Sequence, residues 1–367
     1  MTLSTFSSVN SCFVPLVSSV WIAAKSIRNV PVRSFSRAFI AVVKSARIFI
    51  LSSLMVVKLT RRYAVRVASL KKTLLTATGV LGLTGFSTLA WAYRECSNFE
   101  LKIVELPILE PGVLRDEDEF RILHLSDLHM IPNQIKKQEW VAQLDKLAPD
   151  LVVNTGDNLS DPKGVPGVLR ALGPLLRRPG LFVFGTNDYF APSMVNPFLY
   201  LFGKKRKPSE VALPWKGMRA AFIEHGWRDA NQARHEFQIN HVRIAVAGVD
   251  DPHHDLDDYE EIAGPPNPDA DLSIALLHAP EPRVLERFER DGYMLSLSGH
   301  THGGQVCLPG SRALVTNCGI DAQRVQGLHT FGNMWMHVSN GLGTSKFAPI
   351  RLFCRPSATL IRVTEKR

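Results

Sequence analysis

The sequence predicts an α/β domain preceded by an N-terminal membrane segment, and three observations predict it. From Phe120 onward, short apolar runs alternate with amphipathic stretches, the rhythm of β-α-β units. Residues 73–93 form a run of 21 without a charge, close to the ~20 apolar residues that a bilayer-spanning helix needs. Five acid, amide or imidazole sites follow predicted strands in order, and strand carboxyl ends are where open α/β sheets build their sites.

The N-terminal segment carries the basic charge. Residues 1–94 hold thirteen of the 43 Lys and Arg and no Asp or Glu, leaving 30 basic against 34 acidic residues in the remainder. The net charge of +9 therefore does not belong to the folded part. A nucleic-acid binder needs its positive stripe on the folded domain, so no nucleic-acid partner is expected. Lys71 and Lys72 precede the uncharged run, and Trp91 and Tyr93 close it, as at the flanks of a membrane span. The basic residues before the run predict a single-pass protein of the cell membrane, N-terminus cytoplasmic and following domain outside. Ala90-Trp91-Ala92 also fits a small-x-small cleavage pattern, so export after cleavage is the alternative. The expected organisation is a basic, membrane-associated segment at 1–72 and an anchor or signal sequence at 73–93. A linker at 94–118 and a folded domain at 119–367 follow. The five cysteines, at 12, 96, 307, 318 and 354, show no Cys-x-x-Cys spacing, so structural zinc is not expected. In an exported domain, Cys307, Cys318 and Cys354 are candidates for a disulfide.

Within the folded part, Phe120–Leu125 reads as a strand, 137–147 as a helix and 151–155 as a strand. Residues 167–176 read as a helix and 181–184 as a strand; the rhythm then breaks for about fifty residues after Phe190. Strands return at 242–249 and 272–277, a helix at 281–290 and a strand at 293–297, and the tail (327–331, 334–338, 358–363) is more purely β.

The chemistry-bearing residues sit after these strands: Asp127 and His129, Asp157, the stretch Gly185-Thr186-Asn187-Asp188, His278, and Gly299-His300-Thr301-His302-Gly303-Gly304. A strand alternates its side chains, so two histidines at i and i+2 face one pocket. One Asp after a strand is commonly a helix cap; five such sites in order point to a metal centre. Mixed carboxylate and imidazole donors suit Mn²⁺, Fe or Zn²⁺ better than Ca²⁺.

This order resembles the calcineurin-like metallophosphoesterase family, in its membrane-anchored bacterial-type branch, whose pattern is Asp-x-His, Gly-Asp, Gly-Asn-His-Asp, His and Gly-His-x-His. The resemblance covers roughly residues 120–363. It implies a four-layer α/β/β/α sandwich and two divalent metal ions. It also implies hydrolysis of a phosphodiester, phosphomonoester or pyrophosphate by a metal-bridging hydroxide. Carried over, Asp127, His129 and His302 hold one ion, His278 and His300 with an amide hold the second, and Asp157 bridges them. One motif departs: Thr186 stands in the amide's place and Asn187 in that of the histidine. A one-residue shift of the loop restores Asn187 as the ligand, the reading adopted here. No histidine then remains to protonate the leaving group, and His253, in the acidic stretch 248–255, is the expected substitute beside Asp157 and Asn187. The alternative is a catalytically weak metal- and lipid-binding sensor or scaffold of the same fold.

Residues 197–202, rich in aromatics, run into a basic cluster at 204–207. Phe198 and Phe202 with Lys204, Lys205, Arg206 and Lys207 read as an interfacial finger, aromatics in the headgroup region and cations on lipid phosphates. With the anchor, this makes a lipid-linked phosphoester the expected substrate and the membrane a partner. The glycines of 339–346 lack phosphate-loop spacing; they let that loop pass close to the metal pocket.

Overall fold

The computed structural model describes residues 32–193, 210–310, 312–316 and 318–367. The finger at Phe198, Phe202 and 204–207 lies outside the described residues. Two compact units meet in sequence at Thr84/Gly85. The first is helical: α1 (Val32–Glu95) begins there and runs 64 residues. Among the described residues it is the one helix long and apolar enough to cross a membrane.

The second unit contains the end of α1, then β1 (Glu100–Leu109), β2 (Phe120–Leu125), α2 (Ile135–Ala142), β3 (Leu151–Asn154), α3 (Val165–Leu172), β4 (Gly180–Phe182) and the single turn α4 (Thr186–Tyr189). After it come α5 (Trp215–Glu224), β5 (Arg228–Asp229), β6 (Ala233–Ile239), β7 (Val242–Gly248), β8 (Leu272–Leu276), α6 (Pro282–Asp291) and β9 (Leu295–Ser298). A small hairpin, β10 (Cys307–Leu308) and β11 (Arg312–Ala313), precedes β12 (Gly327–Phe331), β13 (Met334–Val338) and β14 (Ser357–Glu365).

Two six-stranded sheets result, ordered β1-β14-β2-β3-β4-β5 and β12-β13-β9-β8-β7-β6. β2, β3 and β4 are parallel to one another, as are β7, β8, β9 and β13. The period of two in the strands sorts side chains between layers. In β2, Phe120 and Ile122 join a cluster shared with Ile244, Ile274 and Leu295 of the other sheet, while Leu123 and Leu125 join one shared with Val141 and Val168 of α2 and α3. In the second sheet, Leu272, Ile274 and Leu276 face the first, whereas Ala275 packs with Val284, Leu285 and Phe288 of α6. The layers are therefore α/β/β/α, the sandwich the motif order implied.

Some elements were not legible. β1 occupies part of the expected linker, and it tolerates Pro107 because it is an edge strand whose missing N–H breaks no central ladder. β6, at the other sheet's edge, alternates half-buried and exposed residues and is mostly polar, so it gave no strand signal. The helix expected at 137–147 ends at Ala142 and tightens into a 3₁₀ turn that stops at the left-handed Ala148. The four described cysteines are free thiols.

Candidate metal centre

The parallel strands β2, β3, β4, β8 and β9 end on one side of the sandwich, and the loops they feed carry the candidate ligands. The loops after β2 and β3 are zipped together: Asp127 N donates to Gly156 O (2.8 Å) and His129 N to Asp157 O (2.9 Å). The β4 loop is tied in by Asp188, whose buried carboxylate accepts from Asp157 N, Asn158 N and Gly185 N at 2.8–3.0 Å.

Strand alternation is not what aims the ligands, contrary to expectation for His300 and His302. Asp127 (φ 50°), His129 (φ 42°), Asp157 (φ 54°), His300 (φ 67°) and His302 (φ 50°) all adopt left-handed backbone beyond the strand ends. Non-glycine residues rarely do so, at about 1–3 kcal/mol each, and such strain gathers at functional sites. Five occurrences in one pocket mark the loops as shaped for their side chains.

Two overlapping donor groups result: Asp127, His129 and His302, and Asp127, Asp157 and His278, each with one ligand atom per residue within 4.8 Å of the others. His129 Nε2 lies 3.1 Å from His302 Nε2 and 3.5 Å from Asp157 Oδ2. His278 Nε2 lies 3.5 Å from Asp157 Oδ1. Asn187 Nδ2 donates to Asp157 Oδ2 at 2.7 Å, whereas the Thr186 hydroxyl turns to Asp251. The His300 ring packs on His278 (centroids 5.2 Å apart) and on His253 (4.2 Å), while the His300 backbone N–H donates to Asp127. His253 stands 3.7 Å from Glu281. Asp127, His129, Asp157, His278 and His302 thus come together, with Asn187 on Asp157; the His300 ring lies beside His278 but belongs to neither donor group, and His253 packs against it.

The donors fit divalent cations. The carbonyl oxygen of Thr155 only accepts, so His278 Nδ1, 2.6 Å from it, carries a proton, whereas His302 Nδ1 lies between an acceptor, Gly343 O (3.1 Å), and a donor, Arg351 Nη2 (3.2 Å). Once a cation replaces the proton on Nε2, His278 is left in the tautomer a metal ligand requires, with its Nε2 lone pair toward Asp157. His278 Nε2 is buried with no hydrogen-bond partner. Burial holds His129 down to about 4 and His300 and His302 well below the usual histidine range. Burial also opposes the charge on His278 and Asp157. It is outweighed by their mutual attraction, which holds His278 well above its ordinary range and Asp157 well below. The carboxylates draw positive charge to this point, which a cation supplies.

Burial, opposed by His278 and reinforced by Asp157, pushes Asp127 up to about 6. Asp127 is ionised above that value and protonated below it. Metal affinity is therefore expected to hold at neutral pH and to fall as pH drops through about 6. Calorimetric Mn²⁺ titrations on either side of that pH check this; equal affinities would contradict it.

Four supporting residues had no role assigned from the sequence. Arg351 is fully buried and donates to the carbonyls of Asn340, Gly341 and Gly343 at 2.7–3.2 Å, holding the carbonyl beside His302 Nδ1 in place. Lys137 is buried and donates to Leu128 O (2.7 Å), between two ligands. Ser160 Oγ meets His129 Nδ1 at 3.0 Å. Asp188 has the tie described above. The glycine loop does pass close: a Cβ on Gly341 would sit 2.6 Å from Asp127 Cβ, and one on Gly343 2.7 Å from His129 Cβ.

Comparison with known proteins agrees with this geometry. The Calcineurin-like phosphoesterase family matches residues 120–304, half of the chain and all seven candidate ligands. YpbG of Bacillus subtilis is 26% identical over 297 residues, covering 77% of this chain and 95% of that protein. The metallophosphoesterase YkoQ of Bacillus subtilis is 26% identical over 275 residues, covering 72% and 91%. A bovine transmembrane protein with metallophosphoesterase domain is 29% identical over 225 residues, covering 55% of this chain and 44% of that one. The chain belongs to the calcineurin-like phosphoesterase family.

Proposed function

We propose that this protein is a membrane-anchored phosphoesterase working with two divalent ions, Mn, Fe or Zn, on a phosphodiester, phosphomonoester or pyrophosphate of a membrane-lipid headgroup. The observation that carries the reading is the pair of overlapping donor groups sharing Asp127, with Asp157 reaching both His129 and His278. Asp127, His129 and His302 would hold one ion; His278, His300 and the Asn187 amide would hold the other; Asp157 would touch both. Ions so placed act as Lewis acids on the phosphoryl oxygens and generate the nucleophile from water at neutral pH. The chain's own residues fix the donors, exclude bulk water by burial and orient the ester. In topology, residues 73–93 form the span with the basic segment cytoplasmic and the domain outside, and β1 extends the catalytic unit back to residue 100. The finger at 198–207 would rest on the bilayer.

His253 takes the leaving-group role in this proposal, supported by its ring contact with His300 (centroids 4.2 Å, planes tilted by 41°) and its proximity to Glu281. General acid catalysis is worth about 10²- to 10⁴-fold, and matters most for poor leaving groups. His253→Gln should lower hydrolysis of an alkyl phosphodiester by about 10²-fold while leaving a p-nitrophenyl ester little changed. An equal loss on both esters would remove the role.

The direct test is Mn²⁺-dependent hydrolysis of bis(p-nitrophenyl) phosphate by the full chain in detergent, reversed by chelation. A chain that binds Mn²⁺ and turns over neither this diester nor a monoester would favour the sensor reading. The observation behind that alternative is an Asn187 loop with no imidazole of its own.

A further inference from the structure

Behind the loop of His302, the last turn of α1 meets a corner of the domain whose charged groups Glu95, Glu100, Lys102 and Arg355 take no part in the proposed reaction. Arg351 N donates to Ala92 O (2.9 Å) and Cys354 N to Glu95 Oε1 (2.7 Å), so the segment around Phe353 is bound to the helix end. A β-bridge from Val306 to Leu352 brings the β10–β11 hairpin to the same corner. Three large apolar side chains there face solvent: Trp91 is 59% exposed, Phe353 46% and Leu308 47%. Phe353 also holds a left-handed backbone (φ 53°), which costs a bulky residue free energy that its exposed ring does not recover by packing. Tyr93, two residues from Trp91, ends the uncharged run of α1. Aromatics at such a position belong at the level of lipid headgroups.

A cleft of about 290 Å³ opens at this corner, lined by Trp91, Glu95, Glu100, Lys102, Phe353 and Arg355. Its charges are arranged, not scattered. Glu95 is committed, accepting from Trp91 Nε1 (2.8 Å) and Cys354 N. Glu100 stands alone between two cations, 3.9 Å from Lys102 Nζ and 3.9 Å from Arg355 Nη1, at the outer limit of ion pairing. Lys102 Nζ is further held by the amide oxygens of Asn340 (3.1 Å) and Gln326 (3.3 Å), which fix its position without neutralising it. Two cations therefore flank one carboxylate beside two aromatic rings. An anionic group fits the cations, and an ammonium fits Glu100 and the ring faces.

We infer that this cleft binds the zwitterionic headgroup of a phospholipid, its phosphate on Lys102 and Arg355 and its ammonium on Glu100. Trp91 and Phe353 then lie at the acyl boundary and seat the domain on the bilayer. The inference rests on α1 being an anchor, but not on any catalytic step.

The test reconstitutes the full chain into nanodiscs of equal phosphatidylethanolamine and phosphatidylglycerol, extracts it gently and quantifies retained lipid. Phosphatidylethanolamine should be enriched several-fold over phosphatidylglycerol, and Lys102→Met and Arg355→Gln should each remove the enrichment, Arg355→Gln without affecting phosphoester hydrolysis. Arg355 is half exposed, so its variant keeps the test readable if Lys102→Met misfolds. Equal retention of the two lipids, enrichment unchanged in Arg355→Gln, or displacement of the lipid by millimolar inorganic phosphate would each overturn the inference. A chain that fails to insert would overturn the anchor as well; one that inserts without lipid preference overturns the cleft alone.

Discussion

Asp157→Asn is expected to reduce metal-dependent hydrolysis by ~10³-fold or more, about 4 kcal/mol of transition-state stabilisation. Asp157 is the carboxylate that reaches furthest across the pocket. Its two oxygens lie 3.5 Å from His129 and from His278, and Asn187 donates to it twice, from its backbone N–H and its side-chain amide. An amide in its place keeps the volume but loses the charge, and it turns an N–H toward a cation. The change should be visible before any chemistry, as the loss of one Mn²⁺ per chain in calorimetry while the urea midpoint of the metal-free protein stays put or rises. A variant that keeps both ions and full activity would move the bridging role elsewhere.

Arg351→Met should have the largest effect on stability, about 3–5 kcal/mol, because it strands several buried carbonyls at once. The guanidinium has no carboxylate partner among the described contacts; it is spent on the backbone of Asn340, Gly341 and Gly343 and on the turn at His302. With the guanidinium gone, His302 Nδ1 loses its Arg351 Nη2 neighbour (3.2 Å) and the fixed Gly343 carbonyl (3.1 Å) that hold the ring in place. Metal affinity should fall by about 10- to 100-fold, the usual range for outer partners of metal ligands. Arg351→Lys should not rescue it, since a single ammonium cannot span the carbonyls that a fork reaches. Urea unfolding followed by near-ultraviolet circular dichroism, alongside Mn²⁺ titration, reads both effects. A lysine variant with wild-type affinity would show that charge alone suffices.

These two residues also mark what the sequence made legible. Asp157 follows an apolar strand and a glycine, and each candidate ligand announced itself by residue type and by position after a strand. The layers were legible for the same reason, since a period of two puts neighbours of one strand into different clusters. Arg351 had no such signal. It follows Pro349 and Ile350 as an ordinary loop arginine would, and its role depends on His302, 49 residues away. Asp188 works through the backbone N–H groups of three residues, which no side-chain pattern reports. The His300–His302 pair was found by an argument from strand pleat, yet left-handed turns orient both rings. At the third motif, Asn187 and not Thr186 faces Asp157, the orientation expected from a shifted loop.

The ligand loops are divided between the sheets. Asp127, His129, Asp157 and Asn187 follow strands of the first; His278, His300 and His302 follow strands of the second. Any ion held by both sets is a rivet through the seam of the sandwich, clamping two plates at one rim. Loss of metal would then loosen that rim first, and the opposite rim, held by apolar packing and by Asn240 Nδ2 donating to Asp150 (3.4 Å), would act as the hinge.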